Sequence, residues 1–119
     1  MKYMKMLDPV KLTDVNDTRI VDDSGKDLEV SFTQFVVGRL SDPKFSTSMD
    51  MIMSAWEIKQ AMKESDNGVV AMDTAHWEKL AEVVKNPSPQ NPYHPMYAIN
   101  LLPFMQEVVN AKDSKEDLD

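Results

Sequence analysis

Residues 49–62 read as a helix with two apolar stripes where an ordinary surface helix carries one. At about 100° per residue, Met49, Ile52, Met53 and Trp56 fall on one line. Met51, Ala55, Ile58 and Met62 fall on another, roughly 140° away. One stripe can face the domain's own core. The other needs a second layer or a second chain, because a chain of 119 residues has little interior in which to bury both sides of one helix. The stripe Met51, Ala55, Ile58, Met62 is the first candidate for an inter-chain contact, and packing against the last helix is its intrachain alternative. Trp56, on the other stripe, and Trp77 are expected in the core.

The charge balance narrows the partners. A formal net charge of −7 without clustered Lys or Arg argues against direct contact with a nucleic-acid backbone and favours solubility or a basic partner. The absence of cysteine removes disulfides, thiolate catalysis and Cys-based zinc sites. Residues 1–7 carry Lys2 and Lys5 but no sustained apolar core before Asp8-Pro9, so they fail as a secretory signal, and no stretch is long enough to span a bilayer. The expectation is a soluble protein of the cytoplasm. Ten methionines exceed ordinary usage; their flexible thioethers fill irregular cores and also adapt to partner surfaces.

Turn chemistry and periodicity give the order of elements. Residues 10–13, 18–22 and 27–30 are short extended runs around the turn cluster Asp22-Asp23-Ser24-Gly25-Lys26, which predicts an antiparallel β-hairpin or three-stranded meander. Ser31 with Gln34 forms a capping box before a helix over 32–40, stopped by Ser41-Asp42-Pro43. Ser46, Thr47 or Ser48 caps the double-striped helix, and Asp66-Asn67-Gly68 ends it. Residues 69–72 follow as an edge strand beside the hairpin. Asp73 caps a third helix with Trp77, Leu80, Ala81 and Val84 on one face, ending near Asn86-Pro87. Pro87, Pro89, Pro92 and Pro95 make a stiff connector, and a fourth helix over 96–111 is kinked or restarted at Pro103. The reading is one α+β domain over 1–111, a small antiparallel N-terminal sheet packed by three or four helices, with a flexible acidic tail over 112–119.

Catalytic constellations are thin. Asp73 and His76 have the spacing of an acid and a base or of a metal pair, but a helix cap beside a polar neighbour explains them without a third ligand. His94 sits in a loop, Pro92-Tyr93-His94-Pro95. The acidic turn 22–27 lacks the alternating ligands and terminal Glu of a calcium loop. Glu57 and Glu64 can pair on the polar side of their helix, where solvation is the default. No cofactor or metal site is indicated, and a carboxylate hydrolase would need a pocket holding Glu57 or His76.

Phe32-Thr33-Gln34-Phe35 with Leu40-Ser41-Asp42-Pro43-Lys44-Phe45, then Asp73-Thr74-Ala75-His76-Trp77-Glu78-Lys79-Leu80 ending at Asn86-Pro87, then Leu101-Leu102-Pro103-Phe104, resembles small uncharacterised proteins of tailed bacteriophages over residues 7–111. The resemblance implies a virion or assembly component in which many copies meet one another or other phage proteins in a host cell. It assigns no functional residue. The functional expectation is non-enzymatic protein association, with Met51, Ala55, Ile58 and Met62 as contact candidates. The alternative is an acidic inhibitor or decoy for a host protein, for which Asp113, Glu116, Asp117 and Asp119 concentrate charge while Lys59, Lys63, Lys79 and Lys85 interrupt the negative faces.

Overall fold

Ser31 and Gln34 exchange both hydrogen bonds of a capping box and open α1 (Phe32–Arg39) where their spacing predicts it. The computed structural model describes residues 1–118 and has an α+β architecture. Ahead of α1 come β1 (Lys2–Lys5), β2 (Val10–Lys11) and β3 (Glu29–Val30); after it come α2 (Met49–Lys63), β4 (Val69–Met72), α3 (Thr74–Lys85) and α4 (Leu102–Val109). Short 3-10 turns occupy Pro43–Ser46, Ala98–Leu101 and Lys115–Leu118. The fourth helix is therefore shorter than periodicity suggested. Pro103 restarts it within its first turn, where a missing N–H costs nothing.

Residues 10–30 form the expected meander with an unexpected closure. The Leu12 N–H donates to Leu28 O (2.9 Å), Leu28 N–H to Ile20 O (3.0 Å) and Ile20 N–H to Leu12 O (3.1 Å). Each run thus bonds both others, and little unpaired edge is left. At the second turn, the Asp22 carboxylate accepts from Ser24 N–H, Ser24 Oγ–H and Lys26 N–H. Those bonds, led by the Ser24 hydroxyl, hold its carboxyl below the ordinary carboxylate range. The calcium-like spacing is a turn tied by its own side chain.

The second sheet recruits residues that the sequence marked only as a failed signal. β1 pairs antiparallel with β4, with Lys2 opposite Met72 and Met4 opposite Val70, and it buries Met4 and Val70 completely. On its other side Tyr3 exchanges both backbone bonds with Lys112, at 2.8 and 2.9 Å, so the segment expected as a flexible tail begins with a backbone pairing. Alternation along β1 then directs Lys2 and Met4 toward β4, and the outward groups of β4 belong to Val69 and Ala71. Val69 exchanges both of its bonds with Asp66. Asn67 and Gly68 between them have φ of 53° and 74°, the two left-handed positions of a type I′ turn. They form that hairpin turn rather than the cap of α2, whose C-cap is Glu64.

The core lies where the helices and the first sheet meet. Phe104 is fully buried between Phe32, edge-on at 5.4 Å, and Phe35 at 5.7 Å, with Val36, Ile58, Leu80 and Val108 around the same centre. The Pro-rich connector has no regular structure, and side chains hold it instead. Asp42, 1% exposed, accepts from Ser88 Oγ–H at 2.6 Å, Ser88 N–H at 2.8 Å and Lys44 N–H at 2.9 Å. Arg39 donates to the Asn91 carbonyl at 2.9 Å, and the Tyr93 hydroxyl donates to the Val84 carbonyl at 2.8 Å.

Burial alone would raise the Asp42 carboxyl, but the Ser88 and Lys44 hydrogen bonds outweigh it and hold the group below its ordinary value. Stabilisation from a lowered carboxyl is present above the ordinary range and is lost as pH falls through the lowered folded value. Asp42→Asn sets an amide donor against N–H groups that need an acceptor. It should cost roughly 2–3 kcal/mol at neutral pH and flatten the acid limb of the stability curve. Urea melts from neutral to acid pH test this; an acid limb equal to wild type would show that the charge contributes nothing.

Candidate interaction surface

Ser48 caps α2 by accepting from Met51 N–H, which fixes where the helix starts, and contacts with α3, β4 and the Pro43–Ser46 turn fix how it is rotated. Ile58 and Met62 are 0% and 3% exposed, and Met51 and Ala55 pack at the margin of the same cluster. The opposite line faces solvent. Met49 is 76% exposed, Ile52 54%, Met53 52% and Trp56 59%.

The two-stripe reading of α2 therefore holds with its sides exchanged. Met51, Ala55, Ile58 and Met62, first candidates for an inter-chain surface, are the inward stripe of a helix that packs within the chain, mainly against α3, β4 and the Pro43–Ser46 turn rather than against the last helix. Trp56, expected in the core, is on the outside. Small residues explain the choice: Ser54, Ala55 and Ala61 lie on or beside the inward line and let α2 approach its neighbours closely. Trp77, also expected in the core, is half-buried at its margin; its indole N–H donates to Val108 O at 2.7 Å, and the Lys2 ammonium lies 4.6 Å from its ring centroid.

The polar candidates are drawn apart. Asp73 spends its carboxylate on the Ala75 N–H as a cap, while His76 turns to α2 and meets Ser54 Oγ through Nδ1 at 2.9 Å. Lys79 Nζ donates to the same Ser54 oxygen at 2.9 Å. Lysine can only donate, so Ser54 Oγ accepts from Lys79, and the direction of its bond with His76 follows the imidazole tautomer. A Ser–His pair is half of a nucleophilic site, but Ser54 is 0% exposed and presents no face to a reacting atom. The trio is a polar lock between α2 and α3. Glu57 and Glu64 are both exposed, His94 stacks on Tyr97 at 4.6 Å, and no group of three potential metal ligands comes together among the described residues.

Two further features lie away from α2. Val15, Met96 and Ile99 are 68%, 51% and 72% exposed and line, with Thr13, Asp14, Asp17 and Asn100, one recess between the meander and the 3-10 turn before α4. An apolar groove of about 390 Å³ runs between α3 and α4, lined by Val84, Tyr93, Leu102, Met105 and Val109 with Lys85, Gln106 and Asn110 at polar positions. Among the described residues, no helix is long and apolar enough to cross a membrane.

The exchange of stripes makes a direct prediction. Ile58→Asp buries an unpaired charge and should cost about 4 kcal/mol or more, abolishing the helical circular dichroism at ambient temperature. Trp56→Asp should keep the wild-type helical spectrum at ambient temperature. The reverse pattern would return Trp56 to the core. Comparison with known protein families, with curated proteins and with solved structures finds no match to this chain.

Proposed function

We propose that the protein is a non-enzymatic association module that binds further copies of itself, as a component of a multi-copy assembly. The observation that carries this reading is the outward stripe of α2. Four large apolar side chains at positions i, i+3, i+4 and i+7 share one face of the helix, each more than half exposed, and clustered exposed apolar side chains mark contact surfaces. A helix face of this pattern docks into a groove or against another helix. Met49 and Met53 suit an adaptable contact, and Trp56 suits an anchor.

The mode that fits best is head-to-tail. The recess that holds Val15, Met96 and Ile99 among the polar residues Thr13, Asp14, Asp17 and Asn100 is built from other elements than α2, so one molecule carries a second surface with exposed apolar side chains. Unlike surfaces that meet generate rings when the rotation closes and filaments when it does not. The resemblance to small tailed-phage proteins supplies a setting in which such multi-copy assembly is useful.

Light scattering behind a sizing column, over a wide concentration range, should find a multimer. Trp56→Asp and Ile99→Asp should each give a monomer of native helicity. A mixture of the two variants keeps one intact surface of each kind and should form dimers and nothing larger. A wild-type chain that stays monomeric at every concentration would overturn self-association. Dissociation by Trp56→Asp alone would replace the head-to-tail mode with stripe-on-stripe pairing.

A further inference from the structure

We infer that the cavity between α1 and the Pro-rich connector binds a small oxyanion, the carboxylate or phosphate group of a compact ligand. The cavity measures about 230 Å³, below the span of drug-sized sites, and is independent of the α2 surface. The chain has 20 acidic residues against 13 basic ones, yet no carboxylate lines this cavity, whereas Arg39 does. That local reversal of charge is the first reason to expect an anion.

Hydrogen-bond accounting is the second. Arg39 is held in place by the Asn91 carbonyl at 2.9 Å and by the Tyr93 ring, whose centroid is 4.3 Å from the guanidinium carbon. One N–H is spent on the Asn91 carbonyl and Tyr93 shares the guanidinium, which leaves further N–H groups of the fork for an oxyanion. His94 Nδ1 accepts from Met96 N–H at 3.1 Å, so its ring hydrogen is on Nε2, and stacking on Tyr97 within 5° of parallel fixes the ring. Gln34 Oε1 is spent on the Ser31 N–H, which leaves its amide nitrogen as the group still to be used. All three polar side chains have committed their acceptors, or have none, and offer donors.

A loop staple alone would need one Arg39 N–H and no such supply from α1 and the connector together. Phe35 and Tyr93, stacked at 6.1 Å, and Tyr97 give the cavity apolar walls that lower the dielectric around a bound charge. Asp42 acts through space on Tyr93, but its oxygens are committed to Ser88 and Lys44.

The test is an amide chemical-shift titration of the intact chain with sodium phosphate and with sodium acetate, each against sodium chloride at equal ionic strength. Saturable shifts at Gln34, Arg39 and His94, fitting one dissociation constant of roughly millimolar or tighter, are expected for at least one of the two oxyanions. Which of them saturates identifies the headgroup. Arg39→Lys keeps the charge and loses the fork, and should weaken binding about tenfold. His94→Phe, on an exposed side chain, keeps an aromatic ring beside Tyr97 and removes the Nε2 donor; a several-fold loss is expected. Non-saturating shifts no larger than those with chloride would overturn the site. So would unchanged affinity in His94→Phe, which decides the matter if Arg39→Lys loses its dispersed spectrum.

Discussion

The rotation of α2 about its own axis is the constraint on which the rest of the molecule depends. Ser54 sets it, fully buried and bonded to both His76 and Lys79 of α3. Turning the helix by roughly 140° to bury Met49, Ile52, Met53 and Trp56 would carry Ser54 away from α3 and leave His76 and Lys79 without their shared partner. It would also bring Ile58 and Met62 into water. Polar satisfaction and apolar burial therefore select the same rotation. Its consequence is that the largest side chain of the helix, Trp56, is left outside.

The remainder is held by side chains reaching across to backbone. The Trp77 indole N–H holds the Val108 carbonyl near the end of α4, and the Asn100 amide holds the Thr13 carbonyl, tying the meander to the 3-10 turn before α4. Asp42, Arg39 and Tyr93 do the same for the Pro-rich connector, which has few backbone donors of its own. A loop fixed at three points can wall a cavity, and Arg39 serves both as a tether and as the charged wall of that cavity.

Much of the fold was legible because its signals are local. The capping box of α1, the Asp73 cap of α3, the meander turn and the Pro103 restart all follow from residues within one turn of the event. Strand β1 was missed because Lys2-Tyr3-Met4-Lys5 does not alternate polar with apolar residues and its partners β4 and Lys112 are distant in sequence. The surface was half legible: the surplus stripe was visible and its identity was misassigned. The deciding signal lay further along the helix. The line of Met49, Ile52, Met53 and Trp56 continues into Lys59, Gln60 and Lys63, whereas the line of Met51, Ala55 and Ile58 stays apolar to Met62. A stripe that turns charged within the same helix cannot be its core face. The Ser54, His76 and Lys79 lock and the Asp42–Ser88 tether join residues 22 to 46 positions apart, and spacing along the chain does not reveal such pairs.

The central claim is that α2 keeps one stripe for its own core and the other for another copy. Fluorine NMR of the chain labelled with fluorotryptophan tests it without altering the packing, since Trp56 and Trp77 give one resonance each. As concentration rises, the Trp56 resonance should shift or broaden while that of Trp77 stays fixed. Two resonances that both hold their positions while the protein is concentrated would contradict the account.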